Sequence, residues 1–592
     1  MDTRRFMLFG ALGLVLLMLW DSWVAYTTPV KPAVTTQATV NTGSTNTGTT
    51  NTAVPARQDP NAQNNSIVPQ APVATSGSTE KTADQAAPGA VQVPNANPGV
   101  LKPDLPTDQR VTVITDLLKV EIDSMGGDVR KVELIKLPVS VDKPDQPFVL
   151  MTDTGKNLFI AQSGLAVNGD RKLPNHNTRF SIEKTRYELT AGKDEVTARL
   201  NWQGPDGVRY SKYFRFRRNS YIVDVGFEID NRSNQNWQGN YYAQLAHSKP
   251  ITKTGASSFL TTRIPSYMGA AIYTPKDKFE KVKFDDMEKS NLQRDADGGW
   301  VSMIQHYFTS AWLPGEKGQH RMYSRYQQRP QGSLYYIGYT DKAATNIAAG
   351  QKGDVHSRLY VGPKDQDRLS KAADGLVLSV DYGWLTPVSN PLFWIMRHIH
   401  SVVGNWGWSI ILLTLFVKLC FYPLSAASFR SMAKMKQLQP RLKTLKERYG
   451  DDRQKMNAAM MEMYKKDKIN PLGGCLPMIV QIPVFIALYW VLLESVELRQ
   501  APFMFWIHDL AIQDPYYVLP LLMGASMFGQ QLLNPTPVDP MQKNIMMAMP
   551  VVFTVFFLFF PAGLVVYWLT NNILSISQQW YITKNITAKK HS

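Results

Sequence analysis

A lysine stands inside SIILLTLFVKLCFYP, residues 409–423, a stretch otherwise apolar almost from end to end. Carrying a bare ammonium into hydrocarbon costs roughly 2.5–3.5 kcal/mol, so Lys418 needs a chemical reason for its place. Thr414 lies four residues earlier, on the same face of a helix. Three kinds of chemistry use such a cation. It can act as base to a serine nucleophile, line a solute or ion path, or attract acidic groups into a hydrated recess. Ser409 is more than two helical turns away and no GxSxG elbow occurs, so the first reading lacks its nucleophile. His398 and His400 look like a metal pair, but at a spacing of two they diverge on a helix. With no GxxxxGKS/T loop, HExxH or CxxC, neither an ATP motor nor a metal or other cofactor is expected.

The elements that position this lysine are apolar segments at 405–422, 476–493, 516–533, 545–560 and 562–580. About 18 apolar residues suffice to cross a bilayer. The fourth, with about 16, calls for local thinning or burial among its neighbours. The connection 425–470 carries twelve Lys or Arg against five acids, and the chain ends KNITAKKHS. The loop containing SVELRQAPFMFWIHDL is short and nearly balanced. Basic connections stay inside, so 425–470, the NPTPVDPMQKN loop and the tail 583–592 are expected in the cytoplasm. Within 425–470, Met435, Leu438, Leu442, Leu445 and Tyr449 repeat at three-four spacing. YGDD then breaks the helix, and Met456, Met460 and Met463 continue the pattern. This predicts an antiparallel cytoplasmic hairpin. Its methionines are either its own seam or an adaptable surface for apolar segments of other proteins.

Upstream, Arg4 and Arg5 precede apolar Phe6–Trp20, and Trp23 is badly placed for cleavage after Ala25. Residues 1–26 therefore read as an uncleaved signal anchor, giving six spans with both ends inside. Residues 27–107 contain no aromatic and read as a disordered polar tether. From 108 to 383 the pattern alternates with period two: LLKVEIDSMGGDVRKVELIKL reads strand, Gly-Gly turn, strand. Many such strands predict a large antiparallel β-sandwich outside the cytoplasm. Residues 384–404 read as an amphipathic helix in the outer interface, ahead of a five-helix core over 405–582. The only cysteines, Cys420 and Cys475, exclude a disulfide framework for the β-domain. The net charge of +16 fits a basic surface facing the cytoplasm better than nucleic acid, because aromatic and basic residues do not interleave.

Depth sorts the polar residues of the spans. Thr414 and Lys418 fall in the inner half of the first, Gln481 in that of the second, and Ser526 and Gln530 in that of the third. In the last span Asn571, Ser575 and Gln578 share a face from mid-membrane inward, with Asn572 beside them. The outer halves, such as ALYWVLL and AGLVVYW, are nearly clean. A pore or transporter needs polar lining at both depths. Snorkelling of Lys418 and helix–helix glue are the bland alternatives, but glue has no reason to collect in one leaflet across four helices. The pattern predicts a wet groove open to the cytoplasm and closed to the outside.

NPLGGCLPMIVQIPVFIALYW, SVELRQAPFMFWIHDLAIQDPYYVLPLLMG, DPMQKNIMMAMPVVFTVFFLFFPAGLVVYW and SISQQWYI resemble the Gram-negative form of the YidC/Oxa/Alb family of membrane insertases. The resemblance runs from about Pro387 to the C-terminus, and the anchor, tether and β-domain follow the same plan. It implies a five-helix core whose hydrophilic groove carries a positive residue. Lys418 takes that position where Gram-negative members usually have Arg, so the charge is kept and the bidentate fork lost. The family's groove threonine matches Thr414, and its aromatic pair falls on Tyr567 and Trp568, the second departing from the usual Tyr. The β-domain resembles a supersandwich related to sugar-mutarotase folds, from which no sugar chemistry follows. The resemblance further implies insertion or chaperoning of nascent inner-membrane proteins without ATP hydrolysis, alone or beside the Sec translocon and its accessory subunits. It also implies membrane lipids as partners, and the ribosome as a weak one through the basic loops. Lys434, Arg441 and the hairpin methionines are the expected contacts for substrate and ribosome.

Overall fold

The computed structural model describes residues 107–588 apart from 155–157, 168–170, 250–266, 316–317, 331, 450–451, 468–475 and 535–539. The expected anchor (1–26), all but the last residue of the tether and the end of the tail (589–592) lie outside the described residues.

Between Arg110 and Pro363 the chain builds an eleven-stranded and a nine-stranded sheet. Alternation sets which side chains face in. In Arg209–Arg217, RYSKYFRFR, Tyr210, Phe214 and Phe216 are buried while Arg209 and Arg217 are exposed. The Gly-Gly turn between Leu118–Asp123 and Asp128–Pro138 has φ of 78° at Gly126 and 58° at Gly127. A Cβ at Gly126 would stand 2.3 Å from the His176 carbonyl oxygen, so only glycine fits that turn. Among the described residues strand pairing is antiparallel except that Arg110–Ile114 runs parallel to Arg186–Glu188.

The apolar faces of both sheets share one core. Polar tips in that core are satisfied across it. Trp237 Nε1 donates to Tyr210 Oη at 2.8 Å, Trp312 Nε1 to the Gln244 carbonyl at 3.1 Å, and Tyr241 Oη to the Val225 carbonyl at 3.2 Å. Lys212, fully buried, donates to the Gly126 and Ser163 carbonyls at 2.9 and 2.8 Å. Burial holds its pKa down at about 7 and pushes that of the neighbouring Asp128 carboxyl up.

Two short helices, α1 (Phe284–Lys289) and α2 (Gln366–Ala372), sit on the β-domain. The helical part follows: α3 (Thr386–Val403), α4 (Trp406–Cys420), α5 (Tyr422–Gln437), α6 (Gln439–Tyr449), α7 (Arg453–Lys466), α8 (Leu476–Glu494), α9 (Val518–Leu533), α10 (Pro540–Phe557) and α11 (Ala562–Ala588). α11 is the hub, packing on α4, α5, α8 and α9. α3 buries Leu392, Phe393 and Met396 and leaves Trp394 and Val402 exposed.

The helix of the lysine breaks at Phe421, and Pro423, which cannot donate a helical hydrogen bond, opens α5. Among the described residues no single helix is long and apolar enough to cross a membrane alone. α4 and α5 are so together, across a bend of 70°. α11 is 27 residues long, but Asn571, Asn572 and Ser575 interrupt its apolar run. The first expected hairpin arm is likewise in two pieces: α5 ends before Leu438 and Pro440 starts α6. α6 and α7 then pack through Leu438, Leu442 and Tyr464, with Met435, Met460 and Met463 alongside.

The β-domain and the helices meet in a polar seam. Lys364 Nζ and Glu494 Oε2 pair at 3.0 Å, the two side chains only 1% and 3% exposed. His306 Nε2 donates to the Leu493 carbonyl at 3.0 Å, and Tyr382 Oη lies 3.3 Å from Ser495 Oγ. Arg499 donates to the Pro138 carbonyl at 2.6 Å while its guanidinium lies over the Phe148 and Phe308 rings.

Candidate functional site

Lys418 is the last-turn cation of α4 and is buried. Its Nζ donates to Ser575 Oγ of α11 at 2.7 Å, and that hydroxyl donates in turn to the Asn571 carbonyl at 2.7 Å. Gln481 of α8 donates to Asn571 Oδ1. Thr414, 1% exposed, returns its hydroxyl to the Ile410 carbonyl of its own helix at 2.7 Å. Thr414, Lys418, Gln481, Tyr567 and Asn571 line one cavity of about 20 Å³. Its remaining walls are Val417, Phe421, Leu424, Ser425 and Val484. That volume holds about one water molecule, so the polar residues expected to line a wet groove are closely packed in this conformation.

The other expected residues fall elsewhere. Ser526 and Asn572 form a second polar contact, between α9 and α11, at 3.1 Å. Gln530 is half-buried and joins neither group. Trp568 turns away into an aromatic cluster, its ring centroid 4.6 Å from Phe485 and 5.2 Å from Phe557, and its buried Nε1 has no partner among the described residues. Gln578 is half-buried, and the neighbouring Gln579 is the buried one, donating to Asn534 Oδ1 at 3.1 Å. Sequence reasoning passed over Gln579 and Ser425. Gln579 is legible only by choosing the 572, 575, 579 face of α11, and Ser425 only once the bend after Phe421 is known.

Of the hairpin residues, Met435, Met460 and Met463 are half-buried in the α6–α7 seam, whereas Met456 lies outside that cluster. Lys434 is exposed, and Arg441 pairs with Asp467 at 3.7 Å. His398 and His400 go to separate partners, the Trp394 carbonyl and the Trp406 ring.

The outward faces of these helices are apolar. Leu412, Leu415, Phe416 and Leu419 on α4, Leu521, Leu522, Phe528 and Leu532 on α9, and Val551, Val552, Val555 and Phe556 on α10 are exposed. In water so large an apolar surface is a liability; against acyl chains it is not.

Residues 110–395 match the family model described as the YidC periplasmic domain, and residues 398–590 match the one described as 60Kd inner membrane protein. A membrane protein insertase YidC of Alkalilimnicola ehrlichii is 52% identical over 81% of this chain and 84% of its own length. Another, from Methylobacillus flagellatus, is 47% identical over 100% of this chain and 99% of its own. A crystal structure titled as an active YidC insertase with its first transmembrane domain resolved covers 81% of this chain and 93% of that one, with a TM-score of 0.37 at 16% identity.

Proposed function

The chain belongs to the YidC family of membrane protein insertases, and we propose that it inserts nascent proteins into the inner membrane through the polar site around Lys418. The observation that supports this reading best is an ammonium buried where α4 meets α11, inside a helix set whose outward faces are apolar. A cation kept there, with one serine as its acceptor among the described residues, has attraction left over for an incoming carboxylate.

The proposed sequence of events begins at the basic, methionine-bearing α6–α7 hairpin on the cytoplasmic side, where a nascent segment arrives from the ribosome or the Sec translocon. Its hydrophilic leader displaces the packed polar residues and opens the cavity from the cytoplasm. α8 is the wall best able to give, because Pro483 interrupts it between the cavity residues Gln481 and Val484. Lys418 draws acidic residues of the leader inward. The apolar span then leaves sideways into lipid, gaining about 0.8 kcal/mol per buried CH₂. Each acidic residue moved to a positive outside gains about 2.3 kcal/mol per 100 mV. No covalent step and no ATP are needed.

The test is protease accessibility of a single-span substrate with an acidic leader, in membranes carrying Lys418→Ala or Lys418→Glu. Insertion falls in the first and fails in the second, while an uncharged leader depends less on the residue. Full insertion by the Glu variant removes the electrostatic role.

A second reading rests on the same contact, since a lysine 2.7 Å from a serine is the geometry of a Ser–Lys hydrolase. The direction of the hydrogen bonds argues against it. A nucleophile must give its proton to the lysine, whereas Ser575 gives its own to Asn571. Cleavage of a reporter peptide that is abolished by Ser575→Ala would favour the hydrolase.

A further inference from the structure

A charged hollow of the β-domain lies on the outer face of the nine-stranded sheet, far in sequence from the lysine site. It is a groove of about 420 Å³, a size that takes a small solute. Four strands form its floor: Phe308–Leu313, Lys352–Pro363, Ile222–Asp230 and Arg209–Arg217, hydrogen-bonded in that order.

Register places its charges. Asp224 is paired in register with Arg215 on one side and Arg358 on the other, so the three form a row on one face, with the arginine backbones two strand spacings, roughly 10 Å, apart. The next row is Tyr213, Gly226 and His356. A Cβ at Gly226 would stand 2.8 Å from Tyr213 Oη and 2.5 Å from His356 Cβ, so the glycine lets both side chains lean across the floor.

The acids of the groove are already occupied. Asp224 takes Arg217 at 2.5 Å, and Asp354 takes His356 at 2.6 Å and Tyr213 Oη at 3.4 Å. Arg215 and Arg358 are left over. Among the described residues neither has an ion-pair partner, and Arg215 Nε is buried without any hydrogen bond, its guanidinium held over the Tyr213 ring at 5.5 Å. Buried donors of this kind are ordinarily satisfied, and two planar cations facing one hollow match the fork geometry of an oxyanion.

We propose that this groove binds a small oxyanion-bearing ligand, a carboxylate or phosphate, held between Arg215 and Arg358. Such an anion is either a soluble solute or the headgroup of an anionic lipid.

The experiment is titration calorimetry on the full chain in neutral-lipid nanodiscs at low salt, with inorganic phosphate, glucuronate and, as the uncharged control, glucose. One site per chain is expected for phosphate or glucuronate, with none for glucose. Arg215→Ala with Arg358→Ala should weaken binding at least tenfold, with a thermal midpoint like that of the parent. If that double variant does not fold, Arg358→Lys, which keeps the charge and loses the fork, should still weaken binding several-fold. Weaker probe binding in phosphatidylglycerol nanodiscs than in neutral ones assigns the anion to a lipid headgroup. Equal binding in both assigns it to a solute. No binding by either anion, glucose binding as tightly as they do, or unchanged affinity in the folded arginine variants overturns the proposal.

Discussion

Among the described residues Lys418 hydrogen-bonds Ser575 alone, and the two residues can be separated experimentally into a structural and a functional contribution. Ser575→Ala leaves a buried ammonium without its acceptor and should lower stability by about 1–3 kcal/mol, read as a drop in the detergent-solubilised thermal midpoint. Lys418→Met removes the charge altogether and should cost little or even stabilise, while insertion of an acidic-leader substrate falls. In the β-domain, His176 gives a pH signature. It is buried with Nδ1 2.5 Å from Tyr242 Oη, and burial, aided by the Lys212 and Arg130 charges, holds its pKa down at about 3 against 6.5 when exposed. Between those values the unfolded chain binds a proton that the native chain refuses, so stability falls as the pH drops through that window. The loss approaches the order of 4 kcal/mol near pH 3. Denaturant unfolding of His176→Gln followed against pH should show a flatter acid limb; an unchanged limb would show that other groups set it. The polar residues of the candidate site are legible in sequence because each interrupts an apolar run. Which partner each finds is not legible. Helix rotation decides whether Gln578 or Gln579 turns inward, and packing of whole faces sets that rotation.

Helix breaks follow the same logic one level up. Alternation and turn glycines make the two sheets readable, and the long apolar segments reveal where helices lie, but prolines set where those helices stop. Pro423 turns one long run into α4 and α5, and Pro440 cuts the expected hairpin arm in two. The parallel pairing of Arg110–Ile114 with Arg186–Glu188 joins segments more than seventy residues apart, which no local pattern announces. Close helix contact also depends on a residue that carries no sequence signal by itself. A Cβ on Gly524 of α9 would lie 2.0 Å from Thr554 Oγ1 of α10, whereas Gly529 on the same helix faces open space. Gly524→Ala should therefore destabilise the bundle by about 1–3 kcal/mol through overpacking. Gly529→Ala should be neutral or gain up to about 1 kcal/mol in helix propensity. Thermal midpoints of the two variants, measured side by side in one detergent, decide whether the α9–α10 contact is as tight as the geometry requires.

Across the whole molecule, the β-domain is fastened to the helices by charged groups buried in the seam. Removing one member of the Lys364–Glu494 pair strands the other charge at 1–3% exposure and should cost about 3–5 kcal/mol. Lys364→Met combined with Glu494→Leu should recover most of that loss. Limited proteolysis of the β-domain, with thermal unfolding alongside, would report it; single variants as stable as the parent would mean that the pair is not desolvated. The bend after Lys418 bears on motion. Thr414, Val417 and Lys418 line the cavity from above it, and Leu424 and Ser425 from below, with Phe421 at the corner. A change in that 70° angle therefore changes the cavity's volume directly. A load pulling on the α6–α7 arm acts like a hand on a hinged handle, with Phe421 as the pivot and the ammonium's chamber as the jaw.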